Sequence, residues 1–174
     1  GLTDVNQDIF YNVEFGEVEE ITYKSVDEKY VQGWIVKPPN FDSNKKYPLV
    51  LRIHGGPHSM YHVGFNYNFQ LHAAQDQVVL YTNPRGSTGY GYDFANAIQN
   101  AYPGNDYDDI MYGVDEVISR GYIDENRMYV YGGSGGGVLT SWIVGKTDRF
   151  AAASVNYPAV SYTHLRAHET YRDL

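Results

Sequence analysis

The central part of the chain reads Met128-Tyr129-Val130-Tyr131-Gly132-Gly133-Ser134-Gly135-Gly136-Gly137-Val138-Leu139. An apolar run followed by glycines around one serine predicts a β-strand that turns sharply into a helix at Ser134. Gly132, Ser134 and Gly136 match G-x-S-x-G, the pattern of a nucleophile elbow, in which a strained turn exposes a serine hydroxyl. Glycines allow the strand and the helix to approach closely and accept unusual dihedral angles. Ser134 is therefore the candidate catalytic nucleophile.

Other uses of a glycine-rich turn fit this stretch less well. A phosphate-binding P-loop requires a Gly-Lys-Ser/Thr ending, whereas Val138 and Leu139 follow Gly137. The dinucleotide fingerprint usually follows the first strand of its fold, and here at least two predicted strands precede the turn. A glycine turn with a purely structural role remains an alternative.

The composition excludes several classes of protein. The chain has 174 residues, 43% of them apolar, and a net charge of -8 from 13 basic and 21 acidic residues. Scattered charges with an acidic balance argue against a nucleic-acid or anionic-membrane surface. Cysteine is absent, which excludes disulfides and thiolate metal sites. With neither a long apolar run nor a signal-peptide pattern, we expect a soluble protein; a cytoplasmic location is favoured, and a periplasmic or secreted one stays open.

Strand and helix signals alternate along the chain. Two β-rich runs, 20–24 and 30–36, predict an antiparallel hairpin. Further strands are predicted at 47–53, 78–81, 128–131 and 150–155, the last as a buried strand, and helices at 66–75, 106–120 and 135–144. The pattern predicts an α/β fold with a mostly parallel sheet, an N-terminal antiparallel hairpin and its functional loops at one edge.

A second glycine-rich loop follows the strand at 47–53 and reads His54-Gly55-Gly56-Pro57-His58. In α/β-hydrolases a loop at this place supplies one N–H of the oxyanion hole, and the residue after the nucleophile supplies the other. Gly56 and Gly135 are the corresponding donors here. Each fixed donor is worth about 3 kcal/mol to the transition state, because charge builds on the carbonyl oxygen as it becomes tetrahedral. An ordinary turn is the alternative for this loop.

Other polar residues are assigned structural roles. His54 and His58 are expected to organise their loop, since no carboxylate cluster supports them as bases or metal ligands. Arg85 suits a substrate carboxylate or its own loop carbonyls, and the structural role is favoured. Three acids, Asp108, Asp109 and Asp115, are expected to be solvated or to compensate the helix dipole. We therefore predict no metal and no cofactor.

With these pieces in place, the chain resembles the catalytic domain of the prolyl oligopeptidase family of serine peptidases, especially its acylaminoacyl-peptidase-like branch. The resemblance covers about residues 18–160. Its motifs are Gln32-Gly33-Trp34, Lys46-Tyr47-Pro48, residues 54–58, residues 83–91, Asp106-Tyr107-Asp108-Asp109, Gly121-Tyr122-Ile123-Asp124, residues 132–136 and Thr147-Asp148-Arg149-Phe150-Ala151-Ala152.

This resemblance implies a domain plan. Residues 1–17 look like the exit from a β-propeller that family members carry before the hydrolase domain, and residues 18–160 like the N-terminal part of that domain. Residues 161–174 resemble a translated sequencing adaptor and are interpreted as non-native. In α/β-hydrolases the triad runs Ser, then Asp or Glu, then His. Because neither His164 nor His168 is placed at a strand end, we expect the triad Asp and His to lie outside this chain and the chain alone to be inactive.

The resemblance implies a serine peptidase that hydrolyses short peptides through an acyl-enzyme on Ser134, with Gly56 and Gly135 as the oxyanion hole. A carboxylesterase is an alternative, since it uses the same elbow and loop on esters. A hydrolase-like binding module without catalysis is another. Short peptides are the expected partners, with no nucleic acid and no membrane; the oligomeric state stays open.

Overall fold

The computed structural model describes residues 10–159. In this part of the chain one mixed sheet carries helices on both faces. The strands are β1 Val18–Lys24, β2 Tyr30–Val36, β3 Tyr47–Ile53, β4 Val78–Asn83, β5 Ile123–Gly133 and β6 Ala152–Asn156. The α-helices are α1 Tyr67–Ala73, α2 Tyr92–Asn96, α3 Asn105–Ser119 and α4 Gly135–Lys146, and a 3-10 turn spans Val26–Glu28.

The strands lie in the order β1-β2-β4-β3-β5-β6. β1 pairs antiparallel with β2, and β2 pairs antiparallel with β4. The other neighbours, β4 with β3, β3 with β5 and β5 with β6, are parallel. The predicted class is confirmed: a mostly parallel α/β sheet preceded by an antiparallel hairpin. Because β3 and β5 are parallel neighbours, the loops after them meet at the same edge of the sheet.

Alternating apolar residues give the sheet two buried faces. One face packs against α3 and α4, whose inward side chains include Ile110, Val114 and Ile143. On the other face Tyr81 stacks against Phe69 of α1, with ring centroids 4.4 Å apart. Each large side chain buried in this way contributes about 1.5–3 kcal/mol relative to exposure. Among the helices of residues 10–159, none is long and apolar enough to cross a bilayer.

The last strand corrects one prediction. The apolar sequence at 150–155 predicts a buried strand, but β6 is almost entirely exposed. It pairs with β5 on one side and has no partner strand on the other within residues 10–159. Burial of a strand depends on what covers it, and the composition of the strand alone does not contain that information.

The first turn of α3 contains a fully buried acid, Asp106. One carboxylate oxygen accepts a hydrogen bond from the Gly104 N–H at 2.5 Å, and the other has no partner within residues 10–159. Burial raises the pKa of Asp106 to about 6, against the opposing effect of the backbone N–H groups of Gly104 and Tyr107. The side chain therefore holds its proton at a pH where an exposed aspartate has lost it.

This shift predicts a pH dependence of stability. Between about pH 4 and pH 6 the folded state binds a proton that the unfolded state has released, so the free energy of unfolding falls as the pH rises, by up to about 3 kcal/mol. Asp106→Asn keeps an oxygen for the Gly104 N–H and is expected to remove this slope. Urea denaturation of both proteins across this range measures it. Asp108→Asn, on the same helix turn, controls for the loss of a charge. If the unfolding free energy of Asp106→Asn falls with pH as steeply as that of the wild type, Asp106 is not the group responsible.

Candidate active site

Ser134 lies at a strained turn between β5 and α4. The strand ends at Gly133 and the helix begins at Gly135, which leaves Ser134 with φ 56° and ψ −120°. Such a backbone costs a residue with a side chain about 1–3 kcal/mol. Hydrogen bonds hold the turn at both ends: the Ser134 N–H donates to the Asn156 carbonyl at 3.1 Å, and the Val138 N–H donates to the Ser134 carbonyl at 3.1 Å. Ser134 is exposed and its side chain does not cap α4, so the hydroxyl is open to a substrate.

The glycines that flank the serine are required by the close approach of the chain segments. A Cβ atom on Gly132 would lie 2.3 Å from the Gly136 carbonyl oxygen. A Cβ atom on Gly136 would lie 2.4 Å from the Ile53 carbonyl oxygen at the end of β3. Both distances are far shorter than van der Waals contact, and the obstructing atoms belong to the backbone. The expected collision of side chains at these positions is therefore confirmed.

Gly56 and Gly135 meet beside the serine. A Cβ atom on Gly135 would lie 3.2 Å from both the N and the C atom of Gly56, and a Cβ atom on Gly55 would lie 3.3 Å from Ser134 Cβ. Gly135 begins α4, and N–H groups in the first turn of a helix have no intrahelical acceptor. Within residues 10–159 the Gly56 N–H donates to no backbone carbonyl. The structure thus brings the predicted nucleophile and oxyanion donors together, and their catalytic roles stay predictions.

His54 fixes the start of the loop after β3. Its Nδ1 lies 2.7 Å from the Gly55 carbonyl oxygen and its Nε2 lies 2.9 Å from Ser87 Oγ. A carbonyl only accepts, so in the neutral ring Nδ1–H donates to Gly55 and Nε2 accepts from the serine hydroxyl. Burial lowers the pKa of His54, partly offset by the hydrogen bond to Gly55. The ring joins this loop to the loop after β4, in the organising role that the sequence predicts.

His58 makes a second tie between the same loops. Its Nδ1 lies 3.0 Å from the Gly86 carbonyl oxygen. By the same reasoning, Nδ1 carries the proton and Nε2 is the acceptor atom of the neutral ring. The predicted organising role therefore agrees with the contacts of both histidines.

Arg85 has a structural role, as favoured from the sequence, although its partners are different from those expected. Its Nε and Nη2 atoms each lie 2.8 Å from an oxygen of Asp109 on α3. The Arg85 backbone N–H also donates to that carboxylate at 2.8 Å, and Ser25 Oγ donates to it at 2.6 Å. This buried ion pair joins the β1–β2 hairpin, α3 and the loop after β4, and it keeps the guanidinium away from any substrate.

The acids of α3 are only partly as predicted. Asp115 is exposed and pairs with Arg149 at 2.6 Å, in line with a solvated acid. For Asp109 the prediction of a solvated acid is wrong, because this residue is fully buried against Arg85. The partner is a distant residue, so the local sequence gives no sign of the pair. Within residues 10–159 no group of three or more His, Asp or Glu side chains is placed to hold a metal ion.

Tyr102 is a site residue that sequence reasoning missed. Its hydroxyl donates a hydrogen bond to the Gly135 carbonyl oxygen at 2.6 Å. The same oxygen atom of Tyr102 would lie 3.1 Å from a Cβ atom on Gly135. Tyr102 belongs to an irregular segment before α3 without hydrophobic periodicity, so nothing in the pattern marks it. Its hydroxyl nevertheless touches the residue that carries one predicted oxyanion donor.

The described histidines do not pair with Ser134. His62 accepts from the Gly64 N–H at 2.9 Å, and His72 bonds to Gln77 at 2.7 Å, while His54 and His58 hold the loops described above. His164 and His168, together with the interpretation of 161–174 as non-native, lie outside the described residues. No hydrogen bond within residues 10–159 therefore supplies a base to the Ser134 hydroxyl.

The sequence is similar to a known protein family and to individual members of the peptidases. A model described as the prolyl oligopeptidase family matches residues 63–172. The chain is 51% identical over 136 residues to the uncharacterized peptidase YuxL of Bacillus subtilis, covering 78% of this chain and 21% of that protein. It is 37% identical over 139 residues to dipeptidyl-peptidase 5 of Aspergillus fumigatus, covering 74% of this chain and 19% of that protein.

The fold is also similar to a solved structure. The acylaminoacyl peptidase of Pyrococcus horikoshii superposes with a TM-score of 0.81 at 34% identity, covering 87% of this chain and 24% of that one. The predicted likeness to the hydrolase domain of such peptidases is thus confirmed for the fold. The chain spans about a fifth of the length of the curated relatives named above.

Proposed function

The chain belongs to the prolyl oligopeptidase family, and we propose that it carries the nucleophile of a serine peptidase that hydrolyses short peptides. Ser134 is the nucleophile in this proposal, and the backbone N–H groups of Gly56 and Gly135 form the oxyanion hole. The family of the chain supports the reaction class. The geometry described above supports the role of each residue.

One observation carries the proposal: an exposed serine on a strained turn lies beside two glycines, one in the loop after β3 and one at the start of α4. The positive φ of Ser134 is costly, and such strain persists in folded proteins chiefly where it serves a function. The loop after β3 and the start of α4 approach closely here: a Cβ atom on Gly135 would lie 3.2 Å from Gly56, and one on Gly136 would lie 2.7 Å from the His54 carbonyl oxygen. A turn needed only for close packing would not require an exposed side chain at its apex.

The arrangement supports acyl transfer in two steps. The Ser134 oxygen attacks the peptide carbonyl carbon while a base takes the hydroxyl proton, and the carbonyl oxygen becomes an oxyanion facing Gly56 and Gly135. The C–N bond then breaks, the leaving amine takes the proton, and the acyl group stays on the serine. Water repeats the attack and releases the acid. Because no described histidine reaches Ser134, we propose that the base lies outside residues 10–159.

The relatives indicate the class of substrate. One is named dipeptidyl-peptidase 5 and the structural neighbour is an acylaminoacyl peptidase. A second acylaminoacyl peptidase structure, 35% identical with a TM-score of 0.82, holds Z-Gly-Gly-Phe-chloromethyl ketone. We therefore propose short peptides with a free or an acylated N-terminus as substrates of the protein.

A comparison of amide and ester hydrolysis tests the reaction class. We expect the natural polypeptide that contains this sequence to cleave acyl-alanyl and dipeptidyl p-nitroanilides, with ester turnover as an accompanying activity. Steady-state kinetics on both substrate types, with Ser134→Ala as the blank, measures this. Turnover of p-nitrophenyl esters without any amide cleavage would contradict the peptidase assignment and favour a carboxylesterase.

A further inference from the structure

A cavity of about 640 Å³ opens beside the proposed oxyanion hole. Pro57 and His58, which directly follow Gly56, form one wall, and Tyr102, which bonds to the Gly135 carbonyl, forms another. The cavity therefore begins next to both proposed oxyanion donors. Its volume is in the usual range for sites that bind small ligands.

The walls of this cavity are rich in hydrogen-bonding groups. The wall that contains Tyr102 also contains three amide residues: Asn96 at the end of α2, and Gln99 and Asn100 in the segment after it. Among the lining residues that the structure describes there is no Asp, Glu, Lys or Arg. Ile98 gives this wall its apolar part and is itself packed against Gly86. Amide groups can both donate to and accept from a ligand.

The His58 ring adds a directed acceptor. Its Nδ1–H is committed to the Gly86 carbonyl, so Nε2 of the neutral ring can accept a hydrogen bond from a ligand in the cavity. Side-chain amides of a substrate offer the complementary donors. A carboxylate or ammonium group would lose its hydration there without meeting an opposite charge, which is costly.

We infer that this cavity is a substrate subsite, and that it selects a peptide residue with an uncharged, hydrogen-bonding side chain such as glutamine next to the cleaved bond. The inference rests on the proposed function, because it takes Ser134 and the two glycines as the point where the peptide is cut. His58 and Gln99 are the specificity-determining residues that the geometry assigns.

The test measures peptide binding without catalysis. N-acetylated, C-amidated tetrapeptides carry Gln, Glu or Lys at one position in an alanine background, and the position is moved along the peptide. Calorimetric titration uses the Ser134→Ala variant of the natural polypeptide, which binds substrate without consuming it. At one position we expect the Gln peptide to bind with a Kd on the order of 100-fold lower than that of the Glu or the Lys peptide.

Gln99→Glu tests the location of the subsite. Placing one carboxylate in the wall is expected to lower the Kd of the Lys peptide by about tenfold, with a smaller gain at high salt, because the new attraction is electrostatic. Gln99 is exposed, so the substitution does not disturb the core. Asn126→Asp, near the opposite end of β5 from Ser134, adds the same charge elsewhere and is expected to leave every Kd unchanged.

Two results would overturn the inference. One is equal affinity for the three peptides at every position, and the other is no binding of any peptide at millimolar concentration. Failure of the proposed function is a separate outcome, read from fluorophosphonate labelling of the wild-type polypeptide: peptide preference without a label on Ser134 would support the subsite and overturn the assignment of the nucleophile. Labelling of Ser134 without any peptide preference would support the nucleophile and overturn the subsite alone.

Discussion

Replacing Ser134 by alanine is expected to lower kcat for peptide hydrolysis by about six orders of magnitude, as for the nucleophile of other serine peptidases. Without the hydroxyl no acyl-enzyme forms, and only the oxyanion donors and substrate binding remain to assist attack by water. The KM for the peptide should change much less than kcat, because the serine oxygen contributes little to ground-state binding. Steady-state kinetics on a peptide p-nitroanilide with the natural polypeptide measures both constants.

Ser141→Ala is the matched control for this prediction. Ser141 lies on the same helix, α4, and its hydroxyl donates to the Gly137 carbonyl at 3.0 Å. Its loss should leave kcat within about twofold, since the bond is local and partly exposed. A Ser134→Ala enzyme that retains more than about one per cent of the wild-type kcat would contradict the proposed role.

Replacing Asp109 by asparagine is expected to destabilise the fold by about 3–5 kcal/mol, because it removes the buried counter-ion of the Arg85 guanidinium and leaves only the exposed Asp27 carboxylate, 3.2 Å from Nη1. The Asp109 carboxylate also accepts hydrogen bonds from the Arg85 backbone N–H and from Ser25. An asparagine amide can replace only part of these contacts. Urea denaturation, followed by circular dichroism, measures the change in the free energy of unfolding.

A second ion pair on the same helix provides the comparison. Asp115 contacts Arg149 at 2.6 Å, but its side chain is 58% exposed, whereas the Asp109 side chain is 0% exposed. Asp115→Asn should therefore cost less than about 1 kcal/mol. The double variant Arg85→Met, Asp109→Leu should recover much of the loss, because it removes both charges together. Equal destabilisation by the two single Asp→Asn variants would contradict the assigned role of the buried pair.

The sequence was most informative where a local pattern has one physical meaning. The alternation of apolar runs and turn residues predicts the β1–β2 hairpin, the parallel strands and α3, all of which the structure contains. The glycines around Ser134 predict the elbow, because a strand and a helix this close leave no room for side chains at Gly132 and Gly136. The glycines of residues 54–58, directly after a predicted strand, indicate the second loop of the site. The structure places that strand, β3, beside β5.

What the sequence did not predict depends on partners that are distant along the chain. Asp109 looks like any acid near a helix start, and only the fold places it against Arg85, 24 residues away. Tyr102 contacts Gly135 across 33 residues from a segment without a regular period. The exposure of β6 depends on which segments cover it, which its own apolar composition does not encode.

Covalent labelling of Ser134 tests the central claim most directly. A fluorophosphonate reacts with a serine hydroxyl that is activated by a base and aligned with an oxyanion hole, so the natural polypeptide containing this sequence should form one adduct. Peptide mapping by mass spectrometry is expected to place that adduct on Ser134, with labelling lost in Ser134→Ala and retained in Ser141→Ala. An adduct on another residue, or peptide hydrolysis that continues without any label on Ser134, would contradict the account.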